Sequence, residues 1–251
     1  MTLLQGKTAF VTGGASGIGK AACLAFAREG AAVCVVDRDS HGADAVAEHI
    51  RAAGGRASSH RADVSSEAEI RHALDVAEGA LGPVHCYFNN AGIGTVETNS
   101  RRKRLADIAL EDWTRMLSVN LTGVFLCLKH QLPRLKSGGS IVNTASIAGL
   151  TALQGAAAYV ASKHGVIGLT RSAAIEYGSE GVRVNAVCPG HIETPLLGVV
   201  QASDELAQRN PMKRYGTAEE IADLVVWLSS DQATFVNGAT FTADGGRLAG
   251  G

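Results

Sequence analysis

The chain has 251 residues, 46% of them hydrophobic, with 30 glycines and 5 prolines, enough for one large domain with a deep core. A formal net charge of −1 and a pI near 6.7 exclude a whole-chain field that would draw it to nucleic acid or to an anionic membrane surface. The five cysteines, Cys23, Cys34, Cys86, Cys127 and Cys188, lie in apolar runs with no C-x-x-C and no His–Cys clustering. They read as small core residues of a reducing compartment, and no metal site is expected. The N-terminal stretch lacks a signal-peptide pattern and no apolar run reaches membrane-spanning length, so the expectation is a soluble, cytoplasmic protein.

Residues 7–11 form a short apolar run that reads as a buried strand, and residues 20–29 have helical spacing. Between them stands Thr12-Gly13-Gly14-Ala15-Ser16-Gly17-Ile18-Gly19, a G-x-x-x-G-x-G turn. Glycine lets a backbone approach closely and a helix N-terminus presents unpaired N–H groups, so this junction suits the pyrophosphate of a dinucleotide. Residues 31–37 form a second continuous apolar strand ending at Asp37, 18 residues past Gly19. That is close to the distance at which an acid meets the adenosine ribose hydroxyls, and position and type favour this role over a helix cap.

A helix over 41–53 ends at Gly54-Gly55, a third strand spans 56–62, and a helix follows over 65–80. Asp63-Val64 closes the third strand, and Asp63 is as suited to capping, beside Ser65 and Ser66, as to touching adenine. The fourth strand, 84–88, runs into Asn89-Asn90-Ala91-Gly92, small residues suited to a tight turn beside a ligand. One long helix is expected over 110–136, with Asn120 in its middle requiring a hydrogen-bond partner. A fifth strand over 140–144, a helix over 157–177, a sixth strand over 182–187, a helix over 217–229 and a last strand over 239–243 complete the chain. The alternation predicts a doubly wound parallel sheet covered by helices on both faces, with ligands at the C-terminal edge.

Three residues near that edge have the makings of an acid–base site. Tyr159 and Lys163 are one helical turn apart and share a face, and Ser146 follows the fifth strand. A tyrosine titrates near about 10, so work near neutrality needs about 4 kcal/mol of differential stabilisation. An ammonium at about 4 Å in a partly shielded site supplies that much, and an oxidised nicotinamide would add positive charge. Ser146 can hydrogen-bond a carbonyl or carbinol oxygen and hold it against Tyr159.

Taken together, Thr12-Gly13-x-x-x-Gly17-Ile18-Gly19, Asn89-Asn90-Ala91-Gly92, Asn120, Ser146, Tyr159-x-x-x-Lys163 and Cys188-Pro189-Gly190 resemble the classical short-chain dehydrogenase/reductase family in order and spacing. The likeness runs almost the whole chain, to Asp244-Gly245-Gly246. It implies a single Rossmann-fold catalytic domain over 1–251, a nicotinamide cofactor, and a tetrad in which Tyr159 is the acid–base. Ser146 would orient the substrate oxygen, Lys163 would bind the nicotinamide ribose and lower the Tyr159 pKa, and Asn120 would hold a proton-relay water. The resemblance assigns cofactor contacts to Gly13, Ser16, Gly17, Ile18, Gly19, Asp37, Arg38, Asp63, Val64, Asn90, Ala91, Gly92, Tyr159 and Lys163, and the nicotinamide end to Pro189, Gly190, Ile192 and Thr194. It also implies a substrate lid around 190–216 and a homotetramer.

The expected reaction is NAD-dependent interconversion of a small secondary alcohol and a ketone. NAD is expected over NADP because the Asp37 carboxylate would repel a 2′-phosphate, with Arg38 the complicating neighbour. A nicotinamide-binding sensor without turnover is the rival, against which the intact tetrad argues. A sugar epimerase of the extended type would need more chain after Pro189. Leu196, Leu197, Val199 and Val200 suggest an apolar lid. The 157–177 helix is apolar on several faces, with Val160, Ala161, Val166, Ile167, Leu169, Ala173 and Ile175, and needs cover from a second subunit or another helix. Between Gly92 and Asn120 the chain is longer than in the family's compact members. It carries Arg101-Arg102-Lys103-Arg104 there, a run that either is a solvated loop or borders the substrate entrance and favours anions.

Overall fold

In the computed structural model, which describes residues 2–196, 207–208 and 210–250, strands and helices alternate as follows: β1 (Thr8–Thr12), α1 (Gly17–Arg28), β2 (Ala32–Asp37), α2 (Ser40–Ala52), β3 (Ala57–Arg61), α3 (Glu67–Leu81), β4 (Cys86–Asn89), α4 (Leu110–Leu117), α5 (Gly123–Gln131), β5 (Ser140–Thr144), α6 (Ala157–Tyr177), β6 (Arg183–Pro189), α7 (Ala218–Ser229) and β7 (Thr240–Ala243). The strands lie in the order β3-β2-β1-β4-β5-β6-β7, and all pairings are parallel.

The continuous apolar runs of the inner strands are explained by cover on both faces. Side chains alternate across a strand. Ala9 and Val11 of β1, with Val33 and Val35 of β2, enter one core layer with Ala22 and Phe26 of α1 and Val225 of α7. Phe10, Cys34 and Val36 enter the opposite layer with Leu74 of α3, Cys127 of α5 and Val166 of α6. All five cysteines are buried and free. This is a Rossmann-type doubly wound sheet. Among the described residues no helix is long and apolar enough to cross a membrane.

Caps fix the helix starts. Asp39 accepts from Gly42 N at 3.1 Å at the head of α2, and Ser66 from Glu69 N at 3.4 Å at the head of α3. α7 begins with a capping box between Thr217 and Glu220.

One expected element is different. Residues 110–136 are not one uniform helix: α4 passes at Ser118–Thr122 into a π-helical segment, then into α5. The winding ends in a single 3-10 turn at Leu132–Arg134 that contains Pro133, where the missing N–H prevents a further regular turn. The wide π turn carries Asn120, which is fully buried, and π segments of this kind are frequent at functional sites.

β1 has β2 on one side and β4 on the other, so the chain reverses its direction of winding between β1 and β4. A crevice opens there beyond the strands' C-terminal ends. The glycine turn after β1 and the Asn-Asn-Ala-Gly turn after β4 are its two lips.

Candidate active site

The glycine turn is shaped by backbone approach. Gly13 has φ 67°, and a Cβ on Gly19 would lie 1.9 Å from the carbonyl oxygen of Gly13, so α1 can start this close to the turn only with glycine there. Ser16, the N-cap of α1, is extended and makes no side-chain cap bond, and the first turn carries no acid. The first N–H groups of α1 therefore remain available to an anion.

Gly14 N donates to Val36 O at 3.1 Å, pinning the turn to β2. The Asp37 carboxylate accepts from Ala15 N and from Asp39 N, both at 3.0 Å. Asp37 is not the cap of α2, because Asp39 does that. Each Asp37 oxygen takes one backbone donor and keeps capacity for a hydroxyl.

The second lip is tied to the first. Thr12 Oγ1 accepts from Asn90 N at 3.1 Å and from Ala91 N at 3.2 Å, and Asn90 Nδ2 donates to Gly13 O at 3.3 Å. Asn120 clamps the chain just beyond, accepting from Ile93 N at 2.8 Å and donating to Ile93 O at 2.9 Å. The partner that Asn120 required is thus the backbone of the loop after β4.

Ser146 follows β5 as the N-cap of a short 3-10 turn, its Oγ accepting from Ala148 N at 3.1 Å. Tyr159 and Lys163 face it from the first turns of α6. Lys163 is buried and donates to Thr144 O at 2.8 Å, with its Nζ 5.6 Å from the centre of the Tyr159 ring.

Burial sets the electrostatics of this pair. It raises the Tyr159 pKa, against a hydrogen bond with Ser146 that lowers it, while Cys188 and Glu97 add smaller upward pushes. Burial lowers Lys163 to about 8. Burial is the largest influence on both groups, because each loses the water that would solvate its charged form.

These residues share one cavity of about 600 Å³. Gly13, Ser16, Gly17, Ile18, Asp37, Arg38, Asp63, Val64, Asn90, Ala91, Gly92, Ser146, Tyr159, Lys163, Pro189, Gly190, Ile192 and Thr194 line it, whereas Gly19 and Asn120 are not on its wall. Asp63 Oδ1 also accepts from Ser65 N at 2.9 Å and Ser65 Oγ at 2.6 Å, so its local turn role and its place on the wall coexist.

Sequence reasoning did not single out Glu97, Leu153 or His191, which line the same cavity. They come from irregular segments with no periodicity to mark them. The basic run divides: Arg101 lines the cavity, Arg102 N donates to Gly155 O at 3.0 Å, and Lys103 pairs with Asp112 at 3.4 Å. Leu196 is on the wall, while Leu197, Val199 and Val200 lie outside the described residues.

The cavity's two ends fit a nicotinamide dinucleotide. A free helix N-terminus beside the glycine turn suits a pyrophosphate, and a carboxylate at the end of β2 suits a ribose. At the other end a hydroxyl, a phenol and an ammonium converge, which is the equipment for moving a proton to or from an oxygen.

The sequence comparisons agree with this geometry. A family model described as Enoyl-(Acyl carrier protein) reductase, of the short-chain dehydrogenase/reductase group, matches residues 13–247. The chain is 41% identical over 241 residues to cyclohexanol dehydrogenase from Acinetobacter sp., covering 95% of this chain and 94% of that one. It is 40% identical over 257 residues to 2,5-dichloro-2,5-cyclohexadiene-1,4-diol dehydrogenase from Sphingobium indicum, covering 99% and 100%. The crystal structure of levodione reductase superposes with a TM-score of 0.92 at 35% identity, over 98% of this chain and 99% of that one. The chain belongs to the short-chain dehydrogenase/reductase family and is an oxidoreductase acting on CH–OH groups.

Proposed function

We propose that this chain is an NAD-dependent dehydrogenase that interconverts a small cyclic secondary alcohol and its ketone. The observation that carries the reading is the convergence of Ser146, Tyr159 and Lys163 on one cavity whose far end holds Asp37. The names of the relatives, which act on ring alcohols and diols, support a cyclic substrate.

The chemistry that a bound nicotinamide would supply is the acceptance or donation of the hydride, with a positive charge in its oxidised form. Tyr159 takes the hydroxyl proton of the alcohol or returns it to the ketone oxygen. Ser146 hydrogen-bonds that oxygen and holds it against the phenol. Lys163, anchored through Thr144, offers its remaining N–H groups to the nicotinamide ribose and stabilises the phenolate by charge. Asn120, fully buried and bonded through its amide to Ile93, holds the loop after β4 that carries one wall of the cavity. Gly13, Ser16, Gly17 and Ile18 would receive the pyrophosphate, and Gly19 would serve it by letting α1 begin against the turn. Asp63 and Val64 would border the adenine and Pro189, Gly190, Ile192 and Thr194 the nicotinamide, with Asn90, Ala91 and Gly92 on the cofactor's path along the second lip.

Asp37 favours NAD, since its carboxylate can accept both adenosine ribose hydroxyls but repels a 2′-phosphate. Of the lid expected around 190–216, Gly190, Ile192, Thr194 and Leu196 line the cavity, and residues 197–206 and 209 lie outside the described residues. The working form is a cytoplasmic homotetramer. Exposed apolar side chains such as Phe125, Ile175 and Phe235 support association, Ile175 being 83% exposed on α6.

The test is turnover of a panel of cyclic secondary alcohols by the purified protein with NAD and with NADP, followed by the absorbance of the reduced cofactor. Oxidation with NAD at the higher kcat/KM is expected. Absence of turnover with either cofactor, together with retained NADH binding, would favour the sensor reading.

A further inference from the structure

The loop between β4 and α4 brings a carboxylate to this cavity. Glu97 is half-buried and lines the same cavity as Ser146 and Tyr159. Its Oε2 accepts from Gly94 N at 3.2 Å, and a Cβ on Gly94 would meet Glu97 Oε2 at 3.3 Å and Leu196 Cδ1 at 3.6 Å. The carboxylate is therefore held where the loop meets Leu196. Among the described residues no cation lies within ion-pair distance of it, and no donor reaches Oε1.

Arg101 lines the cavity as well. An anionic substrate is attracted by Arg101 but penalised by Glu97, and a cationic one the reverse, so with both charges on the wall the repulsion offsets the attraction for either kind of ion. A neutral hydroxyl meets neither penalty. It can donate to a carboxylate whose acceptor capacity is unused, and hydrogen bonds to charged acceptors are the stronger kind. Ile93, Val96, Leu153 and Leu196 give the remaining wall apolar surface on which a hydrocarbon ring can rest.

We propose that Glu97 is a specificity-determining residue that accepts a hydrogen bond from a second hydroxyl of the substrate, so that the enzyme favours neutral ring diols over the corresponding monoalcohols and hydroxy acids. This rests on the dehydrogenase reading of the cavity. The upward push of Glu97 on the Tyr159 pKa agrees with a carboxylate within electrostatic reach of the reacting oxygen.

The experiment compares cyclohexanol, the 1,2-, 1,3- and 1,4-cyclohexanediols and 4-hydroxycyclohexanecarboxylate with NAD, in the wild type and in Glu97→Ala, Glu97→Gln and Arg101→Gln. NADH binding reports whether each variant is folded, and the near-isosteric Glu97→Gln preserves the comparison if the alanine variant is not. At least one diol should exceed cyclohexanol in kcat/KM in the wild type. Its advantage should fall about tenfold or more in Glu97→Ala, mainly through KM, because an unpaired substrate hydroxyl is strongly penalised. Glu97→Gln, which keeps an acceptor oxygen but not the charge, should retain part of the diol advantage and relax rejection of the carboxylate. An unchanged diol-to-monoalcohol ratio in both Glu97 variants would overturn the assignment while leaving the dehydrogenase reading intact. So would a wild-type preference for the carboxylate that Arg101→Gln abolishes. No oxidation of any alcohol by the wild type would remove the dehydrogenase reading and this assignment together.

Discussion

Lys163 Nζ donates a 2.8 Å hydrogen bond to the carbonyl oxygen of Thr144, joining the start of α6 to the last residue of β5. One of the three ammonium protons is thereby committed to the backbone, and the side chain is aimed into the cavity beside Tyr159. The link matters because the ammonium is buried, and a buried charge is tolerated only where it is hydrogen-bonded.

That burial should be readable as a pH dependence of stability. Lys163 titrates at about 8 in the folded chain against an ordinary 10.5. Between those values the unfolded chain binds a proton that the folded chain does not, so stability rises with pH across that window, and below about 8 the full cost of the buried charge applies. Urea midpoints of the wild type and Lys163→Met, measured without cofactor just below the window and near its top, should diverge in favour of the wild type as pH rises. A constant difference would mean that Lys163 keeps its ordinary affinity for the proton.

Tyr159→Phe keeps the ring in its packing and removes the hydroxyl. Turnover should fall by about 10² to 10⁴, the usual worth of a positioned acid–base, with NADH affinity little changed. Near-normal turnover would remove Tyr159 from the mechanism.

Asp37→Ser removes the charge opposed to a 2′-phosphate but leaves a side chain able to bond a ribose hydroxyl. The ratio of kcat/KM for NAD over NADP should fall, with Arg38 free to meet the phosphate. A wild type that already prefers NADP would contradict the role given to Asp37.

Asn120→Ala leaves both polar groups of Ile93 without the partner they have now. Unpaired buried groups cost about 1–3 kcal/mol each, so a clear loss of denaturant midpoint is expected, with a larger loss of kcat than of NADH affinity because the loop after β4 loosens. An unaffected midpoint would show that water replaces the amide without cost.

Much of this molecule is written in local pattern. The apolar runs of β1 and β2, the glycines at 13, 17 and 19, and the four-residue spacing of Tyr159 and Lys163 are governed by strand pleat, turn sterics and helix period, all of which act over a few residues. Local pattern therefore determined the alternation of strands and helices and the parallel sheet, and together with the family resemblance it named many of the residues that line the cavity. Other features needed the fold. The π turn at Ser118–Thr122 accompanies an Asn120 side chain bonded to Ile93, 27 residues away. Thr144 holds Lys163 through its carbonyl, a group every residue possesses and no residue type announces. Glu97 reaches the cavity from an irregular loop without periodicity, and burial pushes the Tyr159 phenol up. These depend on desolvation and on backbone groups brought together across the chain, and only tertiary packing decides which groups lose their water and which carbonyl stands within reach.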